Sequence, residues 1–303
     1  QLDHNQRAAF IVRREHDDVP DPSLPKLLPP TWLAVGDDAP LLAQITAIPP
    51  PLPPRDGYDG GALVIWGLAR LWASSHGALV HALDRRLAQS TALQSSLAVG
   101  RYPSRATLGA WTCGDDAIQL SFPEVFHDPS PDTGPLLEAV ATHSAAIQAL
   151  RTRARQSAWT DLERARHIRQ VRAAHPGEKI IALSQFTHTV RTLFTLMRHD
   201  PGIALLTARG GCIAGGRLPR QDTLARFAPR ALGAPHPPAA ERIDLLLTTD
   251  LLSEGTNLHD ASVVIHLDLP WTPARLEQRV GRARRLGSTH QRVAVYAITP
   301  PAA

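Results

Sequence analysis

The sequence predicts an α/β fold, a parallel sheet flanked by helices, preceded by a mainly helical and proline-rich connector region. Two observations carry the sheet. Short apolar runs recur at residues 180–183, 203–206, 243–247, 263–267 and 293–298, interrupted only by Asp244 and His266, and near-continuous hydrophobicity over so few residues marks a strand buried on both faces. Helical patterns separate several of them, up to Met197, across residues 220–227 and across residues 273–286. That alternation is what parallel strands joined by crossovers require. The third observation lies near the start, where eleven of the 27 prolines fall between residues 20 and 54. Proline fixes φ and carries no N–H, so this stretch should be extended or looped, not helical. It reads as a tether; a proline-rich ligand for another domain is the other reading.

Three segments join the prolines to the sheet. Residues 61–97 are rich in Ala, Leu, Arg and Gln, and Leu79, Leu83 and Leu87, four apart, share a helix face. Residues 100–135, rich in Gly, Pro, Asp and Ser, read as loop. One long polar helix is expected from Gly134 to about Ala174, carrying Arg151, Arg153, Arg155, Arg164, Arg166, Arg169 and Arg172. Solvated helix arginines and a basic stripe for nucleic acid both fit it. Farther on, Gly210-Gly211 and Gly215-Gly216 read as a flexible loop. The expected organisation is a helical and proline-rich connector region over residues 1–135 and the sheet domain over residues 136–303.

Charge is unevenly spread along the 303 residues. The net charge is +4, yet residues 1–149 hold 10 basic and 16 acidic side chains, and residues 150–303 hold 22 and 12. The asymmetry points to a polyanion partner for the C-terminal half. It also fits a plain compositional bias, since Lys26 and Lys179 are the only lysines among 32 basic residues. Cys113 and Cys212 cannot build a disulfide framework and form no CxxC pair, so a reducing, intracellular setting is expected. No run of about 18 apolar residues could span a membrane. The histidines show no ligand spacing, and no metal site is expected. Both glycine-rich nucleotide loops, G-x-x-x-x-G-K-[ST] and G-x-G-x-x-G, are missing from the sequence, so the sheet is not a self-sufficient nucleotide site. A chain that begins at Gln1 with no Met is expected to be a piece of something longer.

The densest chemistry is Gln278-Arg279-Val280-Gly281-Arg282-Ala283-Arg284-Arg285. On a helix Gln278, Arg282 and Arg285 follow i, i+4, i+7 spacing and share one face, and Gly281 would let another surface approach closely. Arginines crowded without acids call for an anion, and the planar guanidinium fork suits phosphate.

These residues carry a resemblance. Residues 278–285 resemble motif VI of superfamily 2 helicases, Q-x-x-G-R-x-x-R, and Thr248-Thr249-Asp250-Leu251-Leu252-Ser253-Glu254-Gly255-Thr256-Asn257-Leu258 resembles motif V. Between them His266-Leu267-Asp268-Leu269-Pro270-Trp271-Thr272-Pro273 is similar to the linking block of the Swi/Snf branch. Upstream, residues 180–196, centred on Ser184-Gln185-Phe186-Thr187, resemble motif IV, and Arg220, Leu224 and Phe227 fit the next R-x-x-x-L-x-x-F element. Residues 10–19 resemble a segment near the end of the first lobe in Swi/Snf proteins, and residues 71–75 a block between lobes in bacterial relatives. The chain therefore looks like the C-terminal half, the second RecA-like lobe, of a helicase of the bacterial Swi/Snf-like branch. It departs from the pattern at Arg285-Leu286-Gly287-Ser288 and in two Gly/Pro-rich stretches, residues 209–219 and 229–238, that look like insertions.

The resemblance implies a motor in which two lobes sandwich ATP. Arg282 and Arg285 would be arginine fingers on the γ-phosphate, Gln278 would set interlobe contacts that sense nucleotide, and Gly255 and Asn257 would lie near the ribose and the lobe interface. Asn257 also suits a simple turn. Mg²⁺ would be held mainly by the first lobe, which lies before Gln1 or on another chain, so this chain alone should be inactive. DNA, double-stranded by preference, would run across the lobe tips and meet Ser184, Gln185, Thr248 and Thr249 through its backbone; the same residue types cap helices. Trp271 would be a stacking platform for bases or pack beside Pro270 and Pro273. Asp268 and Glu254 would be interlobe partners for arginine or plain surface carboxylates. The expected activity is that of a DNA-dependent ATPase or translocase in a bacterial cytoplasm, associated with the nucleoid. A non-catalytic RecA-like module that binds nucleic acid or protein is the alternative.

Overall fold

Nine strands, taken among the described residues, join in one sheet. The computed structural model describes residues 24–53, 61–104, 106–108, 111, 133–250 and 257–302. The first part of the chain contributes β1 (Lys26–Leu27), β2 (Thr31–Leu33), α1 (Ala39–Thr46), α2 (Ala62–Ser74), α3 (His76–Ala98), α4 (Gly134–Gln156) and α5 (Trp159–Ala174). There follow β3 (Ile180–Ser184), α6 (Thr187–Met197), β4 (Ile203–Thr207), β5 (Gly210–Ile213), β6 (Gly216–Leu218) and α7 (Arg220–Phe227). The chain closes with β7 (Leu245–Thr249), β8 (Val263–His266), α8 (Pro273–Gly281) and β9 (Arg292–Ile298). The strand order in the sheet is β1–β9–β8–β3–β7–β4–β5–β6, with β2 also paired to β9.

The five apolar runs are the five central strands, and every pairing among them is parallel. Successive side chains of a strand point to opposite faces, and here both faces are covered. Ile180, Ala182, Leu245, Leu247, Val263 and Ile265 pack beneath Ile168 of α5 and Val190, Leu193 and Met197 of α6. Ile181, Leu183, Leu246, Val264 and Val295 face Leu224 and Phe227 of α7 and Val280 of α8. The connector has cores of its own: Leu41, Ile45, Leu68, Trp72, Leu79, Leu83 and Ile147 close one between α1, α2, α3 and α4.

Several expectations change. The proline-rich stretch is not free of helix, because Pro40 sits in the first turn of α1, where its missing N–H has no intrahelical partner to lose. The same stretch also adds β1 and β2 to the sheet, both parallel to β9. The glycine pairs form the antiparallel hairpin β5–β6, not a loop, so the sheet is mixed at this edge. Gly211 is required there: a Cβ would lie 1.9 Å from Thr223 Oγ1 on α7. Within residues 100–135, expected as loop, Leu108 and Trp111 are core residues beside Leu93, Leu97 and Val140. The helix expected over residues 134–174 is two helices, broken at Ser157 and Ala158. One straight rod cannot lie against both α3 and the sheet; α4 follows α3 and α5 turns onto α6.

The arginines of these two helices are mostly paired. Arg151 and Arg155 meet Asp84, Arg166 meets Glu163, Arg169 meets Asp200, and Arg172 donates to the carbonyl of Pro201. Arg164 is wholly buried, donates to the carbonyl of Ala73 and lies 3.8 Å from Asp161. Partnered side chains of this kind do not make an open basic stripe.

Ser75 separates α2 from α3 with extended backbone and caps α3 by accepting from Ala78 N–H. Just after it, Gly77 N–H donates to Asp161 at 2.8 Å, and α6 passes so closely that a Cβ on Gly77 would lie 2.2 Å from Thr192 Oγ1. Alanine is favoured over glycine in a helix by about 1 kcal/mol, yet overpacking of a filled contact costs about 1–3 kcal/mol. Gly77→Ala should therefore lower the free energy of unfolding measured in urea. An unchanged or raised midpoint would mean that α3 and α6 separate freely.

Candidate functional site

Parallel α/β sheets present ligand sites at the carboxyl ends of their strands. Here the register sets Ser184 beside Thr249 and Leu183 beside both Thr248 and His266, which gathers the ends of β3, β7 and β8 at one edge. Two residues beyond β8, the buried carboxylate of Asp268 accepts from Ser184 Oγ, from Ser74 Oγ at 2.8 Å and from Gln185 N–H at 3.1 Å. It also pairs with Arg279 at 3.0 Å.

Arg279 reaches this point because α8, with Thr272 as its N-cap and Pro273 in its first turn, lays Val280 and the following Ala283 against the sheet, with half-buried Leu276 on the same side. The guanidinium of Arg279 sits on that inward stripe, 2% exposed. It donates to both carboxylate oxygens of Asp250, at 2.6 and 2.9 Å, and to the carbonyl of Asp268 at 2.7 Å. Burial works against its charge, but hydrogen bonds to Asp250 and the charges of Asp268 and Asp250 raise its pKa overall. Removing one partner of such a buried pair typically costs about 3–5 kcal/mol.

The motif VI arginines are placed differently from the expected single helix face. The helix α8 ends at Gly281, with Arg282 as its C-cap, short of the expected end at residue 286. Buried Ala283 and the N–H bonds of Ala283 and Arg284 to Val280 turn the chain there. That turn carries it to residues 257–258: Leu258 N–H donates to the carbonyl of Arg282 at 3.1 Å, and Arg285 donates to Asn257 Oδ1 and to the carbonyl of Gly281. Among the described residues Arg285 therefore has neutral partners and no carboxylate. Gln278 is exposed, and nothing lies within 4 Å of a Cβ built on Gly281, so the close approach expected there is not made within the described chain. Gly255 and Glu254 lie outside the described residues, as do residues 10–19.

Of the expected nucleic-acid residues, Ser184, Thr248 and Thr249 are buried. Ser184 is engaged by Asp268, and Thr248 Oγ1 has no partner among the described residues. Gln185 is half-buried, accepting from Arg70 at 2.6 Å and donating to the carbonyl of Leu269 at 3.0 Å. The Arg70 guanidinium lies over Trp66 at 4.7 Å, and Trp66 packs against Trp271 with centroids 5.2 Å apart. Trp271 nevertheless remains 65% exposed. Asp268, expected at a lobe interface or on the surface, is instead an internal junction. Among the described residues no group of three or more His, Cys, Asp or Glu side chains could hold a metal ion, and no helix is long and apolar enough to cross a membrane.

Residues 163–287 match the helicase conserved C-terminal domain. The match takes in β3 to α8, with Arg282 and Arg285 beyond it. A 46-residue stretch of the chain is 50% identical to the uncharacterized ATP-dependent helicase YqhH of Bacillus subtilis, covering 15% of this chain and 8% of that protein. Over 117 residues it is 30% identical to RNA polymerase-associated protein RapA of Cronobacter sakazakii, covering 39% of this chain and 11% of that one. The chain thus spans a small part of the length of these curated relatives. Among solved structures, the C-terminal part of the Fun30 ATPase domain aligns over 91% of this chain and 85% of its own, with 13% identity and a TM-score of 0.42. The E. coli DEAD-box protein SrmB, solved with the regulator of ribonuclease activity A, aligns over 45% and 69%, with 17% identity and a TM-score of 0.33.

Within residues 163–287, sequence reasoning missed Asp250 and the inward turn of Arg279, and in the connector it missed Ser74. The signal for Arg279 was present: it falls on the stripe of Leu276, Val280 and Ala283. His266, at the end of β8, is 3% exposed, and burial, with help from Arg279, lowers its pKa from 6.5 to about 3. Between those values the unfolded chain takes up a proton that the folded chain refuses, so stability falls as pH drops from about 6.5 toward 3. His266→Gln removes this contribution and should flatten the pH dependence of unfolding by up to about 1.4 kcal/mol per pH unit. Equal slopes in urea melts of the two proteins would contradict a buried neutral imidazole.

Proposed function

We propose that this chain supplies the second, RecA-like lobe of an ATP-driven DNA translocase or helicase of the bacterial Swi/Snf-like kind, over residues 136–303, with residues 1–135 as the end of the first lobe and the interlobe region. The observation that carries the reading is Arg285. It is held at the turn after α8 by Asn257 and the carbonyl of Gly281, with no carboxylate partner among the described residues. A guanidinium fixed by neutral groups keeps its charge for an anion. Arg282 and Arg285 would meet the γ-phosphate of ATP and stabilise the negative charge that develops as the phosphoryl group passes to water. Exposed Gln278 would face the opposite lobe, and Asn257 and Gly255 would lie toward the ribose. A first lobe with the phosphate-binding loop that this sequence lacks would hold most of the nucleotide and its Mg²⁺. The names of the curated relatives, an ATP-dependent helicase and an RNA polymerase-associated protein, agree with this class.

Buried Ser184, Thr248 and Thr249 shape the strand ends from inside, so backbone contacts to DNA fall to Gln185 and to the adjoining surface of Arg70, Trp66 and Trp271. Amide and guanidinium groups position a phosphate backbone without reading its sequence, as a translocase needs. Such a protein would work in the bacterial cytoplasm on double-stranded DNA.

In a protein that unites this chain with a first lobe, Arg282→Ala and Arg285→Ala should each lower kcat for ATP hydrolysis by about 10³–10⁵. Affinity for double-stranded DNA should stay within a few-fold of the parent. Unchanged turnover in both variants contradicts the arginine-finger assignment, and absence of ATP hydrolysis in the parent two-lobe protein leaves a non-catalytic binding module.

A further inference from the structure

Many arginines of this chain are bound to carboxylates, but one group of cationic side chains is not. Where α3 crosses α6, the imidazoles of His81 and His188 stack with centroids 3.4 Å apart and planes inclined by 19°. Among the described residues their ring nitrogens have no hydrogen-bond partner. Arg85 of α3, Arg191 of α6 and Arg209, in the turn between β4 and β5, add positive charge around the pair. The guanidinium groups of Arg191 and Arg209 make no hydrogen bond or ion pair among the described residues. Asp84 opposes the arginines at His81, but it is already engaged by Arg151 and Arg155 of α4.

The group stands at the carboxyl ends of the strands, on the same edge as Gln185. His188 lies in the first turn of α6, three residues after Gln185, and Arg209 lies two residues after β4. The rings and Arg191 are half-buried, and Arg209 is exposed. Burial, then His81 and the three arginines, pushes His188 from 6.5 to about 4; burial, then Arg85, pushes His81 down as well. At neutral pH both rings are therefore uncharged, each with one N–H to donate. A phosphate diester supplies the negative charge that this arrangement lacks. It accepts from guanidinium and imidazole N–H groups, and its charge favours the protonated ring. A metal ion does not fit: nearly parallel rings do not aim their lone pairs at one point, and among the described residues no third ligand joins them.

We propose that His81, His188, Arg191 and Arg209 form a proton-linked phosphate site for the backbone of duplex DNA, the imidazole pair taking a proton from solvent as the DNA binds. The inference rests on the DNA-motor reading above and extends its contact surface onto the connector helix α3. The bound pair holds its proton more tightly than the free pair, so affinity rises as pH falls toward the free value.

The test titrates the full chain into a short fluorescent DNA duplex and reads anisotropy at about pH 7.5 and about pH 5.5, on either side of an ordinary histidine. Acidification should tighten binding at least about threefold more in the parent than in a variant carrying both His81→Gln and His188→Gln. Arg209→Gln, in an exposed turn, should weaken binding at both pH values and lower the slope of log affinity against log salt by about one. It decides the question should the histidine variant not fold. Calorimetry with inorganic phosphate separates a site for DNA from one for the free anion. A histidine-dependent pH response seen with inorganic phosphate and not with the duplex would overturn the assignment to DNA. An equal pH response in parent and histidine variant, or a salt slope untouched by Arg209→Gln, would overturn the site and leave DNA binding elsewhere on the lobe. No duplex binding by the parent at either pH would overturn the DNA-motor reading along with it.

Discussion

The carboxylate of Asp268 is the point at which three parts of the molecule meet. It accepts from Ser184 at the end of β3, from Ser74 at the end of α2 and from Arg279 on α8. Remove it, and the connector, the sheet and the arginine-bearing helix lose the one group they share. The desolvation of Arg279 is tolerable only because Asp250 and Asp268 surround it, and that geometry fixes the rotation of α8 about its axis. Where α8 stops and its chain turns toward Asn257 follows from that rotation. The placement of Arg282 and Arg285 is thus set by a buried arginine three and six residues before them.

The connector is locked to the domain by the same kind of interaction. Asp161 on α5 accepts from Ser75 Oγ and from the N–H groups of His76 and Gly77, and Asp38 accepts from Trp72 Nε1 and lies 2.8 Å from His76 Nε2. Three carboxylates, from the segment after β8, from α5 and from the start of α1, therefore hold the short joint between α2 and α3. Gly77 allows that joint to lie directly on α6. Motion of the helical connector would be felt at the strand ends through these bonds, which gives a physical route between the proposed DNA surface at Trp66, Arg70 and Gln185 and the proposed nucleotide arginines.

The central strands were legible because parallel strands buried on both faces need near-continuous apolar runs, and α6 and α7 because amphipathic spacing survives in short helices. What escaped depends on contacts distant in sequence. The break at Ser157 reflects α4 and α5 packing on different partners, and the hairpin at Gly210–Ile213 uses glycine for closeness to Thr223 where composition suggested looseness. Arg282 and Arg285 were recognisable from their motif, but their geometry was not, since helix spacing says nothing about where α8 ends. The charge asymmetry also overstated a polyanion surface. Many of the arginines that create it are bound to Asp84, Glu163, Asp200 or Asp250, and two, Arg164 and Arg279, are inside the protein.

The central claim is that Asp268 couples the connector to the arginine-bearing helix, and a double-mutant cycle tests it most directly. Ser74 and Arg279 share no hydrogen bond in the structure and both bond to Asp268. Unfolding free energies of Ser74→Ala, Arg279→Lys and the double variant, measured in urea, should show a coupling of about 0.5 kcal/mol or more. That coupling should vanish when the cycle is repeated in Asp268→Asn. Additive effects in the parent chain, or a coupling that persists without the Asp268 carboxylate, would contradict the account.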